Sequence, residues 1–94
     1  MKVHAWNEEK NLWLKEHRNI SFEAIIEKIE RKEGFVTIID HPNQNKHPGQ
    51  RMYVVEINRY CFLVPFVEDA QKVFLKTIYP SRGATEKYLR KEVV

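Results

Sequence analysis

The side chains able to hold or move charge in this chain are Lys10, Lys15, His17, Arg51, Lys76, Arg82 and Arg90, with Tyr53, Tyr79 and Tyr88 near them in sequence. Metal-free cleavage of RNA asks for this inventory. A group must take the proton of the 2′-OH, cations must hold the charge gathering on the phosphate oxygens, and a donor must protonate the leaving oxygen. Histidine is the side chain whose charge changes nearest neutral pH, so His17 is the candidate acid or base. Tyrosine rings can stack an unpaired base. The same cations also suit the solvated surface of a mildly basic domain, and residue types alone leave both readings open.

Other chemistries find less support. His41 and His47 stand six residues apart, each followed by a proline, but no ligand-spaced carboxylate or cysteine accompanies them, so no metal and no cofactor is expected. There is no glycine-rich phosphate loop, no Gly-x-Ser-x-Gly elbow and no His-Glu-x-x-His, and the chain has only 3 glycines to build such loops. Cys61, the single cysteine, lies inside an apolar run and reads as core; alone it can form neither an intramolecular disulfide nor a thiolate zinc site. No apolar stretch of about 18 residues offers a membrane span, and the N-terminus does not resemble a signal peptide. A reducing cytoplasm and no membrane partner are the expectation. With 16 Lys and Arg against 13 Asp and Glu, the net charge of +3 permits attraction to phosphate without requiring it.

The elements that must position these groups follow from local patterning. At 94 residues the chain is expected to form one domain, 1–94, burying roughly 60–65% of the surface of its unfolded state. Its organising stretch runs from Arg51 to Arg82. Three β-branched and aromatic runs, 51–57, 60–67 and 73–79, separated by Asn58-Arg59 and a polar segment, predict an antiparallel meander. Pro65 cannot donate to a ladder, so its strand is expected at an edge or bulged. Upstream, Asn7 before Glu8-Glu9 predicts a helix start, with Lys10, Lys15, His17 and Arg18 toward its C-terminal half. Ser21 predicts a second helix over 22–33 with Phe22, Ile25, Ile26 and Ile29 facing the sheet, ended by Gly34. Phe35–Ile39 reads as the first strand, 40–50 as a loop, and Ser81 as the cap of a last helix. Met1–Trp6 reads as a short strand or an arm. The expected order is ααββββα, an α+β fold with helices on one face of a four-stranded antiparallel sheet.

Several of these segments together resemble BrnT-type toxins. The residues that carry the resemblance are Ala5-Trp-Asn-Glu-Glu-Lys10, Leu14-Lys-Glu-His17 and Asn19-Ile-Ser-Phe-Glu-Ala24 at one end. At the other are Arg51-Met-Tyr-Val-Val and Ile78-Tyr-Pro-Ser-Arg-Gly-Ala-Thr-Glu-Lys-Tyr88. The resemblance implies a RelE-like fold and a type II toxin–antitoxin system. The toxin would be a metal-independent endoribonuclease inhibiting translation and growth, held in a hetero-oligomer by a DNA-binding antitoxin. It implies Lys10, Lys15, His17, Arg51 and Arg82 as catalytic residues, with Arg51 and Arg82 on the scissile phosphate. Tyr79, Lys76 and Arg90 are expected on RNA, and Glu68 is a further candidate.

Two other classes fit the same residues. One is a non-catalytic basic module that docks an antitoxin or nucleic acid and cleaves nothing. The other is a structural partner anchored through Trp6 and Trp13.

Overall fold

The computed structural model describes residues 2–34 and 36–90. In chain order they form β1 (Val3–Trp6), α1 (Glu8–Arg18), α2 (Phe22–Arg31), β2 (Val36–Asp40), β3 (Arg51–Ile57), β4 (Tyr60–Glu68), β5 (Lys72–Leu75), β6 (Tyr79–Pro80) and α3 (Arg82–Leu89). Phe35, expected to open β2, lies outside the described residues. The protein is α+β, and its three helices fall where the sequence predicts them. The sheet does not have the expected form.

It is mixed and runs β1-β5-β4-β3-β2, with β6 pairing β4 beyond the end of β5. Two causes separate it from four antiparallel strands. First, Val3–Trp6 is a strand that pairs in parallel with β5, from Val3 opposite Lys72 to Trp6 opposite Leu75. Second, the expected strand 73–79 breaks. Phe66 faces Leu75, but Leu63 faces Tyr79, so three steps along β4 answer four along its partner. This is a bulge, and Pro65 explains it. The Pro65 carbonyl accepts the Lys76 N–H at 2.8 Å. An antiparallel residue directs its C=O and N–H to the same neighbour, and Pro65 has no N–H to give. β4 is therefore internal, and of the two positions proline allows, the bulge is the one adopted.

The helices also lie on both faces rather than one. Leu14 of α1 and Phe22 and Ile25 of α2 pack with Tyr53, Val55, Val64, Phe66, Val73 and Leu75 into the main core. α3 covers the other side, where Leu89 and Arg90 lie beside Glu56. The run Met52-Tyr-Val-Val55 is buried at every position, which a sheet covered on one face cannot achieve. Each large apolar side chain sunk in this way contributes roughly 1.5–3 kcal/mol before the entropy of ordering is set against it.

Local signals account for the helix ends. Asn7, Ser21 and Ser81 are N-caps, accepting from the backbone N–H of Lys10, Ala24 and Ala84 at 2.9, 3.1 and 3.0 Å. The end of α2 differs from expectation. Lys32, at φ 54°, takes the left-handed position and Glu33 N–H closes on Lys28 O at 3.2 Å, so the helix stops at Arg31, before Gly34. Gly34, at φ 68°, turns the chain into β2 instead, and a Cβ there would stand 3.1 Å from Glu56 Oε1.

Two buried polar residues tie the layers. Asn11, fully buried, accepts Phe22 N–H at 2.8 Å and donates to Glu23 at 2.8 Å, locking α1 to the first turn of α2. Thr85, 1% exposed, accepts Cys61 N–H at 2.8 Å and donates to Ser81 O at 2.8 Å, locking α3 to β4.

Candidate functional site

On α1 the side chains of Lys10, Trp13 and His17 share one flank at i, i+3 and i+7. Lys10 Nζ lies 4.6 Å from the Trp13 ring centroid, the Arg18 guanidinium 5.1 Å, and the His17 ring stacks on the indole at 4.6 Å. Trp13 is thus an exposed aromatic plate ringed by cations. His17 Nδ1 lies 3.0 Å from Trp13 O. A carbonyl can only accept, so Nδ1 carries the proton there and Nε2 keeps its lone pair for exchange.

Arg18 joins this flank to a cavity of about 520 Å³ between the end of α1, the start of α2 and the β3–β4 hairpin. Its rim carries Lys15, Arg18 and Lys28, and its wall Tyr60 and Phe62, whose rings meet edge to face at 6.1 Å. Ile20, Ala24 and Ile57 supply an apolar floor. The hairpin presents Tyr60 through the two-residue turn Asn58-Arg59, at φ 53° and 66°, the geometry matched to twisted strands. Among the described residues no carboxylate lines the cavity. Glu23 stands 3.8 Å from Lys15, an exposed pairing worth little. Asn11 and, more weakly, Lys15 hold the Glu23 carboxyl below its usual range. Arg18 also donates to Ile78 O at 2.6 Å, fixing the cation against the bulged segment between β5 and β6.

The other sequence-predicted residues stand elsewhere. Arg51 opens β3 at the opposite end from Ile57 and Tyr60; seven strand residues put it roughly 20 Å from the cavity. Its guanidinium is paired with Glu68 and lies 5.5 Å from the Phe66 ring centroid. Glu68 also takes Lys2 at 2.7 Å, and these bonds hold its carboxyl below the usual range. Glu68 is therefore the neutralising partner of Arg51. Arg82 is the first residue of α3; it is exposed and makes no ion pair among the described residues, including none with Glu86. It comes after Ile78, the residue that Arg18 contacts, across β6 and Ser81. Arg90, at the end of α3, borders a shallow hollow with Glu56 and Arg59 on the far face.

Lys76 and Tyr79 meet in a cleft of about 360 Å³ on the face away from α1 and α2. His41, His47 and Gln50 from the 41–50 loop close it, so the loop histidines lie beside the two RNA-binding candidates. Of the tyrosines, Tyr53 is core, stacked on Phe66 at 4.6 Å, and cannot meet a base. Trp6 packs on Phe22 at 5.6 Å and is half-buried, which leaves Trp13 as the exposed tryptophan. Cys61 is fully buried, and burial pushes its thiol up, as suits a packing residue.

The structure thus brings Lys10 and His17 together around Trp13 with Arg18, places Lys15 beside Arg18 on the cavity rim, and sets Arg51 and Arg90 apart. Arg18, read from sequence only as a helix-end cation, and Lys28, Tyr60 and Phe62 were not among the expected site residues. The hairpin at Asn58-Arg59 was the available signal, since it fixes Tyr60 opposite Ile57. Among the described residues no three His, Cys, Asp or Glu gather as metal ligands, and no helix is long and apolar enough to cross a membrane. No family model matches the chain, and no curated protein or solved structure is similar to it at a significant level.

Proposed function

We propose that the chain is a BrnT-like toxin of a type II toxin–antitoxin pair that cleaves RNA with its own side chains, and that RNA lies across α1 and the adjoining cavity. The observation that supports this most is the cavity itself, with three cations on its rim, two aromatic rings in its wall and, among the described residues, no lining carboxylate; Arg18 joins it to the Trp13 flank, where His17 Nδ1 faces a carbonyl and Nε2 is left to exchange a proton. Phosphates would sit on Lys15, Arg18 and Lys28, and an unpaired base would lie against Tyr60 or Trp13.

In cleavage the 2′-oxygen attacks phosphorus as His17 Nε2 takes its proton, forming the 2′,3′-cyclic phosphate. Lys10 and Arg18, both held on the Trp13 ring, offset the charge on the phosphate oxygens. The bond from phosphorus to the 5′-oxygen breaks, and that oxygen takes a proton from a lysine ammonium or water. Arg82, exposed at the start of α3, is a further cation that would hold RNA. The antitoxin, a small DNA-binding protein, would neutralise the same basic surface in a hetero-oligomer.

Incubating the purified chain with RNA in the presence of a chelator tests the reading. The expected products end in 2′,3′-cyclic phosphate, and His17→Ala loses about 100-fold or more in rate while binding persists. Intact RNA from folded protein that still binds it would turn the reading toward the non-catalytic module. Cleavage of an all-2′-deoxy substrate would refute the 2′-oxygen as nucleophile.

A further inference from the structure

The cleft under the 41–50 loop has a chemical character the RNA reading does not use. The rings of His41 and His47 pack with centroids 4.2 Å apart and planes tilted by 33°. Each Nδ1 is met by a nitrogen that carries hydrogen: Asn43 N–H at 3.0 Å from His41, and the Gln50 side-chain amide at 3.3 Å from His47. Both Nδ1 atoms therefore accept, and each ring keeps its proton on Nε2, where it is a donor. Burial, and then the neighbouring His47, hold the His41 imidazolium below its usual range.

The opposite wall agrees. The bulge at Pro65 takes Lys76 out of the ladder after one bond, and its side chain lines the cleft with Thr77 and Tyr79. The Tyr79 hydroxyl donates to Met52 Sδ at 3.6 Å, a weak acceptor that an oxyanion readily replaces. Burial pushes the Tyr79 phenol up, so the donor hydrogen is retained. Among the described residues no carboxylate lines the cleft. His41, His47, Lys76 and Tyr79 thus line one concave site whose 360 Å³ falls in the range of small-ligand pockets, roughly 300–1,000 Å³; the Lys76 ammonium lies 5.9 Å from the Phe74 ring centroid and swings from there to meet an anion.

We propose that this cleft is a phosphate-binding site, in which Lys76 supplies the charge and the Nε2–H groups of His41 and His47 with the Tyr79 hydroxyl supply directed donors. The phosphate group is the shared chemistry of two sources, the diester backbone of RNA and a free phosphate monoester. Where RNA is the source, the proposal extends the reading above and rests on it. Phosphate binding itself does not depend on cleavage.

Side-chain 15N spectra of the histidines, recorded while the full chain is titrated, test it. One arm uses inorganic phosphate, the other a short 2′-O-methyl oligoribonucleotide that cannot be cleaved. Saturable shifts of His41 and His47 are expected in at least one arm, about tenfold weaker in Lys76→Gln and weakened again in Tyr79→Phe, each checked for an unchanged amide spectrum. Shifts in both arms assign any phosphate group; shifts with the oligonucleotide alone assign the RNA backbone. Unmoved histidine signals in both arms, or undiminished binding by a folded Lys76→Gln chain, overturn the proposal. Binding here by a chain that leaves ordinary RNA intact would sink the ribonuclease reading and keep the cleft; cleavage with silent histidines would do the reverse.

Discussion

Thr85→Val removes one hydroxyl while leaving the side chain's shape almost unchanged. In the native chain that hydroxyl accepts Cys61 N–H and donates to Ser81 O, and Thr85 is 1% exposed. Valine leaves the Cys61 N–H buried without a partner, at about 1–3 kcal/mol. The Ser81 carbonyl loses less, since Thr85 N–H still reaches it at 3.1 Å. In a domain of this size each kcal/mol moves Tm by about 4–8 °C, so a fall of roughly 4–24 °C is expected. Thr85→Ser keeps both bonds and loses only a methyl, about 1 kcal/mol. Thermal unfolding followed by circular dichroism separates the two. Valine within about 0.5 kcal/mol of wild type, or serine more damaging than valine, would show that the hydroxyl does not fasten α3 to β4.

Three further outcomes follow from the same contacts. Asn11→Ala strands the Phe22 N–H at the start of α2 and is expected to cost about 1–3 kcal/mol in a denaturant melt, with no change in the slope. Glu68 has its carboxyl lowered in the folded state by Lys2 first and then Arg51, so its contribution is present above its unfolded value near 4.5 and is lost as pH falls through the lower folded value. Glu68→Gln should therefore flatten that acid limb in stability measured against pH, modestly, because Lys2 and Arg51 are well exposed. Lys15→Ala with Lys28→Ala should weaken RNA binding and its salt dependence, whereas Arg51→Ala, already neutralised by Glu68, should change either by less than about twofold.

What the sequence disclosed was local. Asn7, Ser21 and Ser81 cap helices through bonds three residues long, so their types alone suffice. The register of the β3–β4 hairpin is likewise fixed by a two-residue turn. The parallel pairing of β1 with β5 was hidden because nothing in Val3–Trp6 encodes a partner 69 residues on. Pro65 announced a break but not its place in the sheet, which the pairing of β4 on both sides decides. The candidate site divides the same way. Lys10 and His17 meet because helix spacing puts them on one flank, a relation visible in the chain. The pairing of Arg51 with Glu68 follows from the β3–β4 register, which sets Arg51 opposite Phe66, whereas the convergence of Lys15 with Lys28 and Tyr60 depends on where α1 and α2 dock. Nor does any short-range pattern say that His41 and His47 would pack on each other beside Lys76 and Tyr79.

Induced expression of this chain alone in a bacterial host, beside His17→Ala and Arg82→Ala chains of equal solubility, with total RNA taken from each culture, tests the central claim most directly. The account predicts growth arrest with fragmented RNA for the wild-type chain and relief of both for His17→Ala. Unimpaired growth and intact RNA from abundant folded wild-type protein, or fragmentation undiminished in His17→Ala, would contradict it.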